Sequence, residues 1–119
     1  MENRKEQKEA LETLVEFYER LVKIMHIIVK ELSGNRLEDT DKFLKAIVDA
    51  MNWEIAVMNG TMTLLNEGKQ RVDKDTFNKK VLEFGTAINS KNDVAMADAI
   101  TQLIPEFENL GNAAKEVIA

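Results

Sequence analysis

The chain has no cysteine and only one histidine, one proline and five glycines. Without cysteine there can be no disulfide and no thiol chemistry, and one histidine leaves few of the ligands that transition metals prefer. The low glycine and proline content argues against the many turns that an all-β domain needs. We therefore expect a helical protein with no metal and no cofactor.

The length and charge narrow the class further. A chain of 119 residues fits one domain, so residues 1–119 are predicted to form a single helical-bundle domain. The net charge of −5 argues against a general nucleic-acid binder. The most apolar run, Ile24 to Val29, is much shorter than the ~20 residues that cross a bilayer, and no signal-peptide pattern precedes it. We expect a cytoplasmic protein that does not associate with membranes.

Apolar residues recur every three or four positions along most of the chain, which is the helical period. Helix 1 is predicted from about Lys5 to Leu32, closed by Gly34. Helix 2 is predicted to begin near Asp39 to Asp41 and to continue through Gly60 to about Asn66. Its stripe is Leu44, Ile47, Met51, Ile55, Met58, Met62 and Leu65.

The second half of the chain shows the same period. Helix 3 is predicted to begin at Asp73 or Asp75 and to end near Lys91, and Asn92 or Asp93 caps helix 4. The stripe of helix 4 continues on both sides of Pro105, which predicts a kink at the proline and not the end of the helix. The whole pattern predicts about 70–80% helix. It indicates an all-α, four-helix up-down-up-down bundle with a long first hairpin.

Helices 1 and 2 each carry a second apolar row beside the main stripe. On helix 1 this row is Phe17, Ile24 and Ile27; on helix 2 it includes Trp53 and Val57 among small residues. Both rows could be buried inside the bundle, since large exposed apolar patches are rare in monomers. Alternatively, they form a dimer interface or a groove for a partner helix, in which Trp53 would be a favoured anchor.

One weak chemical motif also occurs. Arg20 and His26 have the Arg-x5-His spacing of the HEPN ribonucleases, which are helical bundles too, although Leu21 stands where that family usually has a polar residue. The two residues do not share one face of a helix, and His26 has apolar neighbours. An HEPN-like ribonuclease is therefore the alternative hypothesis; it predicts RNA cleavage that is lost in His26→Ala. A buried apolar ligand site lined by methionines is a third possibility.

The stretch from Lys91 to Ile100, continued by Leu103, Pro105 and Phe107, resembles the last helix of small bacterial helical-bundle proteins of the flagellar export chaperone type. These chaperones bind an amphipathic helical end of a secreted subunit. The resemblance implies a non-enzymatic, chaperone- or adaptor-like module that recognises a partner helix or self-associates. We expect Phe17, Ile24, Ile27, Trp53 and Val57 to contact that partner.

Overall fold

The computed structural model describes residues 3–119, and 83% of these residues are helical. The described part of the chain contains no strand, which confirms the all-α class. It contains five helices: α1 (Arg4–Leu32), α2 (Thr40–Gly60), α3 (Met62–Leu65), α4 (Lys74–Ser90) and α5 (Asp93–Ile118). The structure has five helices where four were predicted, because the predicted second helix is divided in two.

The division occurs at Thr61. Its hydroxyl donates to the carbonyl oxygens of Val57 and Met58, at 2.7 and 3.3 Å, and its amide also donates to Met58. These bonds close α2 just after Gly60, a residue that favours helix weakly. The amide of Leu64, in the first turn of α3, donates instead to the side-chain oxygen of Gln7 on α1 at 3.1 Å. The break is stabilised because α1 provides an acceptor for a helix-start amide.

The other helix boundaries agree closely with those predicted from the sequence. The Asp73 side chain accepts from the amides of Asp75 and Thr76 and caps α4, and Asn92 caps α5 by accepting from Ala95. Gly34 has a φ of 109°, as expected of a glycine that follows a helix. The helix α5 continues through Pro105 to its end, so the prediction that this proline does not terminate the helix is confirmed.

The long helices α1 and α5 form the central pair of the fold, α2 packs mainly on α1, and α4 mainly on α5. The direction of each pairing follows from its contacts. Glu31 near the end of α1 accepts from Thr40 at the start of α2, and Phe17 earlier on α1 contacts Trp53 later on α2, so these helices are antiparallel. Lys115 near the end of α5 pairs with Glu19 in the middle of α1, whereas Asp93 at its start pairs with Arg36 beyond the end of α1. These contacts make α1 and α5 antiparallel as well.

The hydrophobic core lies between these pairs and is built from the predicted stripes. Phe77 of α4 and Phe107 of α5 meet edge to face with their ring centroids 5.0 Å apart, and both are almost completely buried. One close approach joins α1 to α5: Gly111 packs directly against the ring of Tyr18. Because α2 contacts mainly α1, one flank of the α1–α2 pair is left only partly covered.

Candidate functional site

An aromatic pair on that flank joins α1 to α2. The rings of Phe17 and Trp53 meet edge to face, with centroids 6.3 Å apart and planes at 86°. Each residue is nevertheless 42% exposed. Two large aromatic side chains in contact and still half open to solvent form an apolar surface of the kind that marks binding sites.

A pocket of about 260 Å³ opens beside this pair. Helix α1 contributes Phe17, Arg20, Leu21 and Ile24 to its lining, and α2 contributes Ala50, Trp53 and Glu54. Ala50 is small, so it leaves space between the two helices. The volume of the pocket lies below the roughly 300–1,000 Å³ that is typical of small-molecule pockets, so the pocket fits a single side chain better than a cofactor. We call it the Glu54 pocket.

Glu54 is the unexpected member of this lining. It is only 1% exposed, and its Oε1 atom is buried with no hydrogen-bond partner among residues 3–119. Burial raises the pKa of this carboxyl from its usual value to about 8, because the charged form loses its hydration and gains no partner. The side chain is therefore mostly protonated at neutral pH, and it is an unused hydrogen-bonding group inside an apolar site.

Arg20 is the other charged residue of the lining, and it occupies a different place. Its guanidinium carbon lies 5.7 Å from the centroid of the Phe17 ring, in a cation–π contact. The residue is exposed. Arg20 thus lies at the outer edge of the pocket, and Glu54 is the buried polar group within it.

The structure brings together three of the five residues expected to contact a partner. Phe17, Ile24 and Trp53 all line the Glu54 pocket. Ile27, one turn beyond Ile24, is 42% exposed. Val57 is different: it is 8% exposed and belongs to the hydrophobic core. We call the surface formed by Phe17, Ile24 and Ile27 of α1 with Ala50 and Trp53 of α2 the α1–α2 groove.

Sequence reasoning missed Glu54, although a signal for it was present. The stripe predicted for helix 2 stepped from Met51 to Ile55 because Ile55 is apolar. Strict alternation of three and four residues from Met51 passes through Glu54 to Met58, and all three of these residues are buried, whereas Ile55 is only half-buried. A carboxylate at a seam position of an amphipathic helix is the pattern that would have identified it.

The two residues of the ribonuclease hypothesis do not meet in this pocket. Arg20 lines it, whereas His26 is exposed and is not part of the lining. No group of three or more His, Cys, Asp or Glu residues that could hold a metal occurs in residues 3–119. Within the same residues, no helix combines the length and the apolar character that crossing a membrane requires.

A larger depression of about 630 Å³ lies between the end of α1 and the start of α5. It is lined in part by Val29, Val94 and Asp93. Its carboxylate at Asp93 is already paired with Arg36 at 2.6 Å, and this pairing holds the pKa of Asp93 below its usual range. The other lining carboxylate, Asp98, is exposed to solvent, and no buried polar side-chain atom in residues 3–119 lacks a partner in this lining. The Glu54 pocket is therefore the better candidate site.

The fold and the pocket together define an all-helical protein with a half-open aromatic groove and one buried, unpaired carboxyl group. A family model described as a domain of unknown function, DUF8042, matches residues 9–113. Since this match covers most of the chain, the protein belongs to the DUF8042 family. No curated protein and no solved structure matches the chain. The resemblance to flagellar export chaperones stays a prediction.

Proposed function

We propose that this protein is a non-enzymatic, chaperone- or adaptor-like module that holds an amphipathic helix of another protein in the α1–α2 groove. The observation that carries the proposal is the Phe17–Trp53 pair, whose rings contact each other while each residue stays 42% exposed beside an apolar pocket. Tryptophan in such a setting is a preferred anchor of protein interfaces. A partner side chain entering the pocket would bury both rings.

The shape of the groove favours a helix as the bound element. Phe17, Ile24 and Ile27 follow one another at helical spacing along α1, so they form a stripe parallel to the helix axis. On the neighbouring α2, Ala50 is half-buried and Ala46 exposed, so small side chains border the stripe. A groove between two helices with large residues on one wall and small residues on the other fits the apolar face of a third helix.

Charge favours a different protein over a second copy of this chain as the occupant. The chain has a net charge of −5, so two copies repel each other at low salt. The buried group that awaits a partner is an acid, Glu54. A partner segment that carries positive charge complements both features, and we take such a segment as the occupant.

We also propose a topology for the fold and a cellular compartment for the protein. If α2 and α3 are counted as one helix broken at Thr61, the chain has the arrangement of a four-helix up-down-up-down bundle with a long first hairpin. The antiparallel contacts of α1 with α2 and α5 support this description. We place the protein in the cytoplasm, and the absence of cysteine is compatible with that compartment.

Changing the groove should abolish binding of a partner helix without unfolding the protein. The probe is a displayed library of 18-residue amphipathic helices with randomised apolar-face positions, selected on the wild-type protein. We expect Trp53→Ala and Ile27→Asp to weaken the selected helices at least 30-fold, since removing an interface anchor commonly costs about 2 kcal/mol or more. Isothermal titration calorimetry measures the affinities, and circular dichroism checks that the variants remain helical.

Leu82→Asp is the matched control for these variants. Leu82 lies on α4, is 73% exposed and does not line the Glu54 pocket, so its replacement adds the same charge away from the groove. It should leave the affinity unchanged. Equal loss in Leu82→Asp, or no helix that binds wild type better than Trp53→Ala, would refute the proposal. A concentration-dependent dimer that Ile27→Asp dissociates in analytical ultracentrifugation would show that a second copy occupies the groove.

A further inference from the structure

Glu54 has no partner among residues 3–119 that explains its position. Its Oε1 atom is buried and unpaired in the described part of the chain, and the side chain lines a pocket otherwise formed mainly by apolar groups. The other charged residue of the lining, Arg20, lies at the pocket edge over the Phe17 ring, and no ion pair joins it to Glu54 in the described part of the chain. A buried polar group without a partner is costly, so its presence beside an open pocket points to a group supplied from outside.

We propose that the Glu54 pocket receives a lysine or arginine side chain of the partner helix, whose cationic head donates to the Glu54 carboxylate while its aliphatic stem packs against Phe17 and Trp53. This inference rests on the proposed function, because it names the residue by which a bound helix is recognised. The volume of about 260 Å³ suits one long side chain. Aromatic rings and a carboxylate together are a favourable environment for a cation with a methylene stem.

The protonation of Glu54 couples this binding to pH. Burial raises the pKa of Glu54 to about 8, so the free pocket holds a neutral carboxyl at pH 6 to 7. Accepting a cation requires that proton to leave for solvent. Arg20 on α1 is the other charged group of the lining. It lies at the exposed edge, where water and salt screen it. The affinity for a basic helix should therefore rise with pH, by up to tenfold per unit between pH 6 and 8, and level off above.

The test uses helices selected on the wild-type protein from the library described above, with randomised positions that admit all residue types. We expect a lysine or arginine at one fixed position in most of them. A synthetic copy of such a helix with norleucine in place of the basic residue keeps the stem and removes the charge. It should bind at least tenfold more weakly at pH 8. Trp53 is the only tryptophan of the chain, so its fluorescence reports directly on the pocket, provided that the peptides contain none.

Glu54→Gln keeps the shape of the pocket and removes its negative charge. For this variant, the lysine and norleucine helices should bind within about threefold of each other, and the rise of affinity with pH should disappear. Selected helices that bind the groove without a basic residue, or a norleucine copy that binds wild type as well as the lysine helix does, would overturn this inference and leave the proposed function intact. Failure to select any helix that depends on Trp53 would overturn both.

Arg20→Gln separates this inference from an internal ion pair. If Arg20 turns inward in solution and pairs with Glu54, its removal should raise the pKa of the carboxyl, as followed by the ¹³C shift of Glu54 in an NMR titration. That result would show a pocket already satisfied by its own chain and would overturn the inference. An unchanged titration, with the lysine helix still preferred over its norleucine copy, supports it.

Discussion

Replacing Glu54 with glutamine is expected to stabilise the folded protein by an amount that grows with pH. Burial raises the pKa of Glu54 to about 8 in the folded chain, whereas the unfolded chain has the ordinary value near 4.5. Between these two values, the folded state keeps a proton that the unfolded state has released. Raising the pH through this window therefore lowers the free energy of unfolding of the wild type. The neutral amide of glutamine has no such dependence.

The expected size of the effect follows from the shift. Below about pH 4.5 both states hold the proton, and the variant should differ from the wild type by less than about 1 kcal/mol. Above pH 8 the difference should reach roughly 3–5 kcal/mol in favour of glutamine. Other groups also titrate, such as Asp73, whose pKa is lowered by hydrogen bonds from the Thr76 amide and hydroxyl. Both proteins share these groups, so subtraction removes their contribution.

Urea unfolding followed by far-UV circular dichroism at pH 5, 7 and 9 measures this difference. A glutamine variant with the same advantage at every pH, or with none, would show that the Glu54 carboxyl is solvated or paired in solution. A group that costs stability at physiological pH and is buried beside an open pocket is typical of a residue retained for binding. The pH-dependent gain would therefore support the binding role through a measurement that needs no partner.

Local chemistry allowed much of the fold to be predicted from the sequence. The bounds of α1 were predicted within one residue, because an uninterrupted apolar seam ends at Leu32, before Gly34. The start of α4 was predicted at Asp73 or Asp75, because either has the short side chain that helix-start amides require, and Asp73 is the one that caps the helix. The path of α5 through Pro105 was predictable because apolar residues continue on both sides of the proline.

The errors come from polar residues on the core face. Thr61 and Glu54 occupy seam positions and are buried, whereas the predicted stripe residues Ile55 and Met62 are only half-buried. A threonine hydroxyl can bond to the preceding turn and help to close a helix, and here the Gln7 side chain also accepts from the Leu64 amide that follows the break. Gln7 lies 57 residues before Leu64 along the chain, so the helix period alone does not reveal this contact.

The candidate site was predicted in part for a similar reason. The second apolar rows identify apolar residues beyond those that a single core-facing stripe needs. Three of these residues, Phe17, Ile24 and Trp53, do meet at one pocket. Whether a row is covered depends on which helices pack beside it. Here α4 packs mainly on α5, away from α2, so this flank remains half open. Val57 belongs to the same row as Trp53, yet it lies in the core one turn further along α2.

Gly111→Ala should have a large destabilising effect, although alanine favours helix more than glycine does. Gly111 is in the interior of α5, and a Cβ atom added there would overlap the ring of Tyr18 on α1. Tyr18 is 6% exposed and its hydroxyl donates to Glu19, so the ring has little freedom to move aside. Since overpacking a core typically costs about 1–3 kcal/mol, we expect a loss of about 2 kcal/mol or more after the gain in helix propensity.

Gly85→Ala is the matched substitution for this test, because Gly85 is also inside a helix but an added Cβ would meet nothing within 4 Å. There the propensity gain is unopposed, and the variant should be more stable than the wild type by about 0.5–1 kcal/mol. Thermal and urea unfolding of the two variants side by side measures both changes. If Gly111→Ala also stabilised the protein, α1 and α5 would have to pack less closely at Tyr18 than described. In that case the described packing of α1 against α5, which positions α1 for its contact with α2 at the groove, would be incorrect.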